Sequence, residues 1–305
     1  MQARCISCLL SRAFQEVQLA TSDAMVQMSA LTEVVKILHR SLTSGDYLEK
    51  IPAYVGTLRD HAIQRITGCQ DPFEDMKRQS NEAALRLRPH LEAFVSDAAK
   101  PEIRFRRACL VASLGNIIEY GVQGHEIPWD NLEAMVARAQ AELAIDQIRE
   151  LFQLAKNGGR ILYLTDNSGE IVFDRILVQS LSELGGEVTV AVKGKPVLND
   201  AMLEDARAAK IEEFAKVITT GGGAVGVLPQ WCSREFLDQF TIADFVIAKG
   251  MGHAETLPEF SLPSPTALLL RTKCEPVAHS FNVPKGRNIV KILVNHKGRL
   301  GPLKH

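Results

Sequence analysis

The sequence predicts an α/β protein: a Rossmann-like α/β/α sandwich with a mostly parallel sheet, preceded by an all-helical N-terminal domain. Three observations carry that expectation. From about residue 10 to 155, apolar residues recur at helical spacing and no segment reads as a convincing strand. From Gly159 onward, short apolar runs alternate with helical segments. Alternation of that kind builds βαβ units, and their strands lie parallel. The 305 residues suffice for about two domains at roughly 150 residues each. They divide as a helical domain over 1–157 and a Rossmann-like, metal- and phosphate-binding domain over 158–305.

In the first half the helical stretches are Thr21–Leu42, Pro72–Ala99, Glu102–Glu119 and Trp129–Ala155. Asp71-Pro72 sets a capping Asp before an N1 proline, and Asn157-Gly158-Gly159 ends the last helix. In the second half the strands are Arg160–Thr165, Glu187–Lys193, Lys216–Thr220, Phe245–Lys249, Thr266–Thr272 and Asn288–Asn295. A helix ends at Leu184-Gly185-Gly186, and another spans Asp200–Ala209. The tail after His296 is basic, polar and expected to be loose.

Composition narrows the function. Against 35 Lys+Arg stand 36 Asp+Glu, a formal charge of −1. That excludes nucleic-acid binding driven by a strong basic field. No apolar run approaches the ~18–20 residues of a membrane span. The N-terminus has no continuous apolar stretch of the signal-peptide kind. Six cysteines are too sparse for a disulfide scaffold and fit a reducing cytoplasm. The oligomeric state is not fixed by these features.

In open α/β sheets ligands sit beyond the carboxyl ends of the strands, so the residues that follow each strand matter most. The first strand runs into Asp166-Asn167-Ser168-Gly169-Glu170. Asp and Asn oxygens are hard ligands suited to Mg²⁺ or Mn²⁺, although both residues are also common helix caps. The second strand runs into Lys193-Gly194-Lys195-Pro196, then Asn199-Asp200. Asp200 is a cap or a second acid that meets Asp166 across one cation, since paired carboxylates repel without one. Lys193 and Lys195 either neutralise a phosphate or belong to a solvated loop. Lys249-Gly250-Met251-Gly252 follows the fourth strand; its glycines admit close approach of a ligand, and Glu255 is in range to pair with Lys249.

A rival lies after Thr220, where Gly221-Gly222-Gly223-Ala224-Val225-Gly226 satisfies G-x-G-x-x-G. It follows the third strand, not the first, and Asp244 precedes its strand and so lies at the wrong edge. In the helical half, Lys77 and Asn81 share a face one turn apart. Asn116 and Glu119 interrupt an apolar helix after Gly115. These are either satisfied core polars or a wall of the site. Cys5-x-x-Cys8 suits a soft metal, a redox pair or a structural role near Cys274.

Taken together, DNSGEIVFDR, VKGKPVLNDAMLEDA, AKGMGHAETL, DPFEDMKRQSNEAAL and CISC resemble the damage-control phosphatase family. The resemblance runs in order from Cys5 to about Lys291 and is nearest to a stand-alone prokaryotic and archaeal subfamily with paired N-terminal cysteines. It implies a cytoplasmic, metal-dependent phosphatase of small phosphorylated metabolites, sugar phosphates or damaged phosphometabolites. It implies a divalent ion (Mn, Mg, Co or Ni) held by Asp166, Asn167 and Asp200. It places the motif lysine at Lys249 and the helix motif at Asn116. The sequence departs from the family at His253, where Asn is usual, at Glu119, where Asp is usual, and in the glycine loop.

On this reading Asp166, Asp200, Glu170 and Lys249 are the catalytic group, with Glu170 orienting water or binding a substrate hydroxyl. Lys249 and Lys193 offset charge on the transferred group. Asn116, Glu119, Lys193, Asn81 and Gly250 contact substrate. The nucleophile is water activated by the ion or a carboxylate; water is favoured because all three oxygen ligands are needed to hold the ion. Two other classes stay open: a methyltransferase using S-adenosylmethionine, and a non-catalytic metal- or metabolite-binding module.

Overall fold

In a computed structural model, residues 1–115, 132–293 and 301–302 are described. The chain opens with α1 (Ala3–Ala20), α2 (Ala24–Thr43), α3 (Pro52–Thr67), α4 (Glu74–Ser96) and α5 (Pro101–Gly115). Next come α6 (Leu132–Ala141), β1 (Leu143–Asp146), α7 (Ile148–Ala155), β2 (Gly159–Leu164) and α8 (Glu170–Glu183). β3 (Gly186–Val192), α9 (Leu203–Ala209), β4 (Lys216–Thr219), α10 (Arg234–Ile242) and β5 (Phe245–Lys249) follow. The chain closes with α11 (Gly250–Thr256), β6 (Phe260–Ser261), β7 (Thr266–Arg271), α12 (Glu275–Ser280), β8 (Asn288–Leu293) and β9 (Gly301–Pro302).

Seven strands form one sheet in the order β1-β8-β7-β5-β2-β3-β4. Five of them, from β7 to β4, are parallel. β8 runs antiparallel to β7, and β1 lies parallel to β8. The chain steps outward from β2 through β3 to β4, then returns to place β5 on the other side of β2. That reversal is a topological switch point, where open α/β sheets form the crevice that takes ligands, here above the carboxyl ends of β2 and β5.

The expected α/β class and mostly parallel sheet are what the chain adopts. Several details differ. The stretch read as one helix over Trp129–Ala155 is broken by β1, which pairs with β8 about 140 residues later. Leu143 and Ile145 alternate with exposed neighbours, the half-buried pattern of an edge strand. Residues 129–131 and 116–119 lie outside the described residues. Asp71 does not cap an N1 proline: α4 begins at Glu74, and Asp71 Oδ1 instead accepts from the Phe73 N–H. Asp200 is not a helix cap either, because α9 begins at Leu203 and its first turn is closed by Asp205 Oδ2 on the Met202 N–H.

The boundary expected at 157/158 does not coincide with a division of the core. One hydrophobic cluster joins Leu91, Phe105, Leu110 and Leu151 of α4, α5 and α7 to Tyr163, Val190 and Ile247 of the sheet. A second cluster covers the opposite face under α10, α11 and α12. Among the described residues, α1, α2 and α3 share a separate cluster built on Val17, Val34 and Ile63. Among the described residues no helix is long and apolar enough to cross a membrane.

Inside the α1–α3 unit, Arg59 donates to Asp60 and lies 3.5 Å from Glu16, all three fully or nearly buried. Burial first, then the Asp60 charge, pushes the Glu16 carboxyl up to about 10. The fold therefore keeps a proton that the unfolded chain has already released above pH 4.5. Stability falls as pH rises through that window, by up to about 1.4 kcal/mol per pH unit. Glu16→Gln keeps a neutral side chain at every pH. Its thermal midpoint is expected to fall less than that of the wild type between about pH 6 and about pH 9, which calorimetry reads directly.

Candidate active site

The crevice is built by two loops that the backbone ties together. After β2, Asp166 O accepts from the Ala201 N–H (2.8 Å), and the Ser168 N–H donates to Asn199 O (2.9 Å). These bonds make a short antiparallel bridge between Asn167 and Asp200. Leu198 just before it takes a positive φ of 45°, a costly conformation for a branched side chain and one that clusters at functional sites. The bridge draws Asp166, Asn167 and Asp200 together from two strands. Neither Asp166 nor Asn167 caps α8, whose N-cap is Gly169 without a side-chain bond. Their polar atoms are left for the crevice.

Asn167 turns its amide nitrogen toward the acids, donating to Asp166 Oδ2 (3.0 Å) and Glu170 Oε2 (3.2 Å). Its Oδ1 is thereby held on the opposite side. Burial, then Glu170 and Asp200, pushes the Asp166 carboxyl well above its ordinary range, while Lys273 and Lys249 oppose the shift. Burial likewise raises Asp200, to about 6, against the pull of Lys193.

Lys249 ends β5 and is wholly buried. Its ammonium donates to Glu170 Oε1 (2.5 Å), Asp174 Oδ1 (2.6 Å) and the Ala112 carbonyl (3.0 Å). An ammonium has three N–H groups, so these acceptors account for all of them. Burial works against its charge, yet Asp174 and Glu170 hold the lysine above its ordinary value. Tyr163 of β2 donates to the same Asp174 oxygen (2.8 Å). Glu255 does not pair with Lys249 as expected. Its carboxyl instead accepts from the Ala53 backbone and is pushed up to about 7 by burial.

Lys193 donates to the Gly226 carbonyl (2.8 Å) and lies 3.5 Å from Asp200. Lys195, in the same loop, is exposed. His253 is buried, with Nδ1 2.6 Å from the Lys249 carbonyl. Burial, then Lys193, lowers it to about 3, so it stays neutral. Gly250 has a φ of 83°, and a Cβ there would collide with the Asp166 carboxylate. Gly115 similarly leaves room for Glu170. Asn116 and Glu119, expected beside it, lie outside the described residues.

The helices α3 and α4 roof the crevice. Asn81 Oδ1 accepts from the Gly169 N–H (2.7 Å) and its Nδ2 donates to Asp205 (2.6 Å), so both ends are engaged. Lys77 pairs with Asp71. From α3, Thr57 accepts from the Val225 N–H, His61 meets the Gly223 carbonyl and Gln64 donates to the Pro196 carbonyl. The glycine loop is thus filled by protein contacts, and Asp244 pairs with Arg160 at the far edge of the sheet. Neither feature makes a dinucleotide cradle.

The donor chemistry fits a divalent cation. Two crowded carboxylates, neutralised only in part, are hard donors suited to Mg²⁺ or Mn²⁺, and Asn167 would add its oxygen on turning over the amide whose nitrogen now faces Asp166 and Glu170. Among the described residues no three His, Cys, Asp or Glu side chains converge as a metal cluster. The candidate set instead needs its asparagine.

Reading the strand ends brought out the Asp166–Asn167–Asp200 group and Lys249. It missed Asp174, Tyr163 and Lys273. Lys273 carried a usable signal, as the basic residue two positions beyond an apolar strand. The N-terminal pair lies on α1: Cys5 is buried, Cys8 exposed, and both lie within electrostatic reach of Cys274.

A mostly parallel α/β sheet with acids and an amide gathered at its switch point defines an α/β protein whose candidate site lies at the carboxyl edge of the sheet. Within that class the chain belongs to the damage-control phosphatase ARMT1-like family, whose domain matches residues 1–289. It is 37% identical over 290 residues to a damage-control phosphatase of Pyrococcus horikoshii, covering 94% of this chain and 96% of that one. It is 34% identical over 291 residues to a damage-control phosphatase of Archaeoglobus fulgidus, covering 95% and 98%. An uncharacterised protein of Methanocaldococcus jannaschii is 34% identical over 296 residues, covering 95% and 94%. The crystal structure of a DUF89 family protein from Pyrococcus horikoshii superimposes with a TM-score of 0.82 at 34% identity, covering 95% of this chain and 98% of that one.

Two substitutions probe this arrangement. Gly250→Ala combines a disfavoured φ with a collision at Asp166 and is expected to cost about 2 kcal/mol or more in urea unfolding. Asp174→Ala leaves Lys249 short of a counter-charge and is expected to cost about 3–5 kcal/mol, against a smaller loss for Asp174→Asn.

Proposed function

We propose that the chain hydrolyses phosphomonoesters of small metabolites, sugar phosphates or damaged phosphometabolites, with a divalent ion held by Asp166, Asn167 and Asp200. The observation that supports the reading is the backbone bridge between Asn167 and Asp200, which sets the loops of Asp166, Asn167 and Asp200 side by side near the Lys249–Glu170 pair. Membership of a phosphatase family supports the same reaction class. The ion, when bound, supplies Lewis-acid polarisation of a phosphoryl oxygen.

The protein's own groups do the rest. Glu170 has one oxygen fixed by Lys249 and the other by Asn167, which sets its carboxylate to orient an attacking water at Oε2. Lys249, with all three N–H groups engaged, serves by locking Glu170 and by its field, in place of a direct phosphate contact. Lys193 offsets negative charge beside Asp200, and Lys273 does so beside Asp166. Asn81 pins the start of α8 against α4 and α9 and so acts on position, not on substrate. Gly250 lets the backbone pass close under Asp166. The methyltransferase reading loses its main support because the glycine loop is packed against α3.

The experiment is phosphate release from a panel of sugar phosphates and an aryl phosphate, with Mg²⁺, Mn²⁺, Co²⁺, Ni²⁺ or EDTA. Release that depends on the metal is expected, and silence with every ion would overturn the proposal. In parallel, Mn²⁺ is expected to raise the thermal midpoint of the wild type, since a ligand at about 100 times its Kd adds about 2.7 kcal/mol. Asp166→Ala and Asp200→Ala are expected to lose both that shift and turnover while remaining folded. A full shift in either variant removes that residue from the ion site.

A further inference from the structure

Lys77 and Asn81 share one buried face of α4, and that face lies over both loops of the crevice. Asn81 reaches the first loop at Gly169 and spends both ends of its amide there and on Asp205. Ser80 beside it sits so near that a Cβ at Gly169 would collide with it. Lys77, one turn earlier, reaches the second loop. Its ammonium lies 3.5 Å from Met202 Sδ, and it is among the cations whose field acts on Asp200.

Lys77 is not satisfied as Asn81 is. An ammonium carries three N–H groups. Asp71 takes one, and the Met202 thioether, a weak acceptor, is the other side-chain partner among the described residues. Lys249, by contrast, has three oxygen acceptors. The Lys77 side chain is only 6% exposed, so little water reaches the donor that is left over. A buried donor left open costs free energy until an acceptor fills it. Asp71 has matching capacity to accept. Its Oδ1 takes the Phe73 N–H, its Oδ2 faces Lys77, and each oxygen keeps a lone pair. The two side chains thus set a donor beside an acceptor on the helical side of the crevice.

The chemistry of the pair selects what it takes. The charge of Lys77 is already met by Asp71, so no surplus charge is left for a second anionic group. A hydroxyl uses both partners at once, accepting from the ammonium while it donates to the carboxylate. We propose that Lys77 and Asp71 together read a hydroxyl of the leaving group, so that the crevice selects phosphomonoesters of polyhydroxylated metabolites over those with an apolar leaving group. The inference rests on the phosphatase reading above, with the phosphoryl group at Asp166 and Asp200. The pair then touches the leaving group away from the bond that breaks, and it sets specificity, not the rate of the chemical step.

Two variants of the full chain test it. Lys77→Met keeps an unbranched side chain against Met202 and removes the donor. Lys77→Met combined with Asp71→Asn removes both charges, so neither partner is left unpaired. Turnover with Mn²⁺ is measured for the wild type and both variants on p-nitrophenyl phosphate and on the sugar phosphate that the wild type hydrolyses fastest. In each variant kcat/KM on the sugar phosphate is expected to fall about 10- to 100-fold relative to that on the aryl ester, mainly through KM. A purely structural role would lower both alike. The rise of the thermal midpoint with Mn²⁺ is expected to persist in both variants, as it must if fold and ion site are intact. Equal losses on the two esters, or no loss on either, overturn the inference and leave the phosphatase reading standing. A wild type that hydrolyses the aryl ester but no sugar phosphate does the same. A wild type silent on both overturns the reading and the inference together.

Discussion

The ammonium of Lys249 is the charge around which the crevice is arranged. Four carboxyl groups, on Asp166, Glu170, Asp174 and Asp200, crowd the carboxyl edge of the sheet within two neighbouring loops and one helix. Burial alone drives such groups toward their neutral forms, and Asp174 and Asp200 are indeed pushed up to about 6. A fully buried cation with three acceptors limits that drift at Asp174. Much of the surrounding packing serves this cation. Gly115 lets α5 approach Glu170, the Ala112 carbonyl closes the third side, and Tyr163 braces Asp174 from beneath. The acids left without this partner, Asp166 and Asp200, are those best suited to a divalent ion.

Much of this was legible in the sequence because strand ends are marked by abrupt changes of residue type. FVIAK-GMG passes from apolar strand to lysine and glycine, and the strand spans the five residues expected. The same logic located Asp166, Asn167 and Asp200. It fails where the signal is not local. LAID is four residues long and is flanked by helices, and its partner β8 is far along the chain. Asp174 follows Glu170 by one turn inside the apolar run EIVFD, so it reads as an isolated polar residue in a buried helix. Nothing local reveals that Tyr163 and Lys249 meet there. The roof was missed for a related reason: Thr57, His61 and Gln64 recur on one face of α3 without charge, and their partners are backbone atoms of loops some 130 to 170 residues away.

The glycine loop shows how a motif can match while its mechanism is absent. In a dinucleotide site the glycines make room for a pyrophosphate. Here they make room for protein. A Cβ at Gly226 would collide with the Gly252 carbonyl, and one at Gly223 with the backbone of Lys195 and Pro196. The loop is a joint at which the ends of β3, β4 and β5 and the helix α3 close on one another. Lys193 holds it from below through the Gly226 carbonyl, so the residue that steadies Asp200 also steadies the joint.

This arrangement divides the labour between the halves of the chain. The sheet supplies the acids, the amide and the lysines, from strand ends whose spacing is fixed by backbone bonds. The helices α3 and α4 supply the cover, and they are anchored mainly to backbone atoms of the loops. The positions expected to depart from the family pattern follow the same line. His253 is buried and neutral beneath the crevice, and the altered glycine loop is a packing element. Both leave the oxygen donors in place. On the proposed reaction, substrate preference is expected to reside in the helical half and the chemistry at the strand ends.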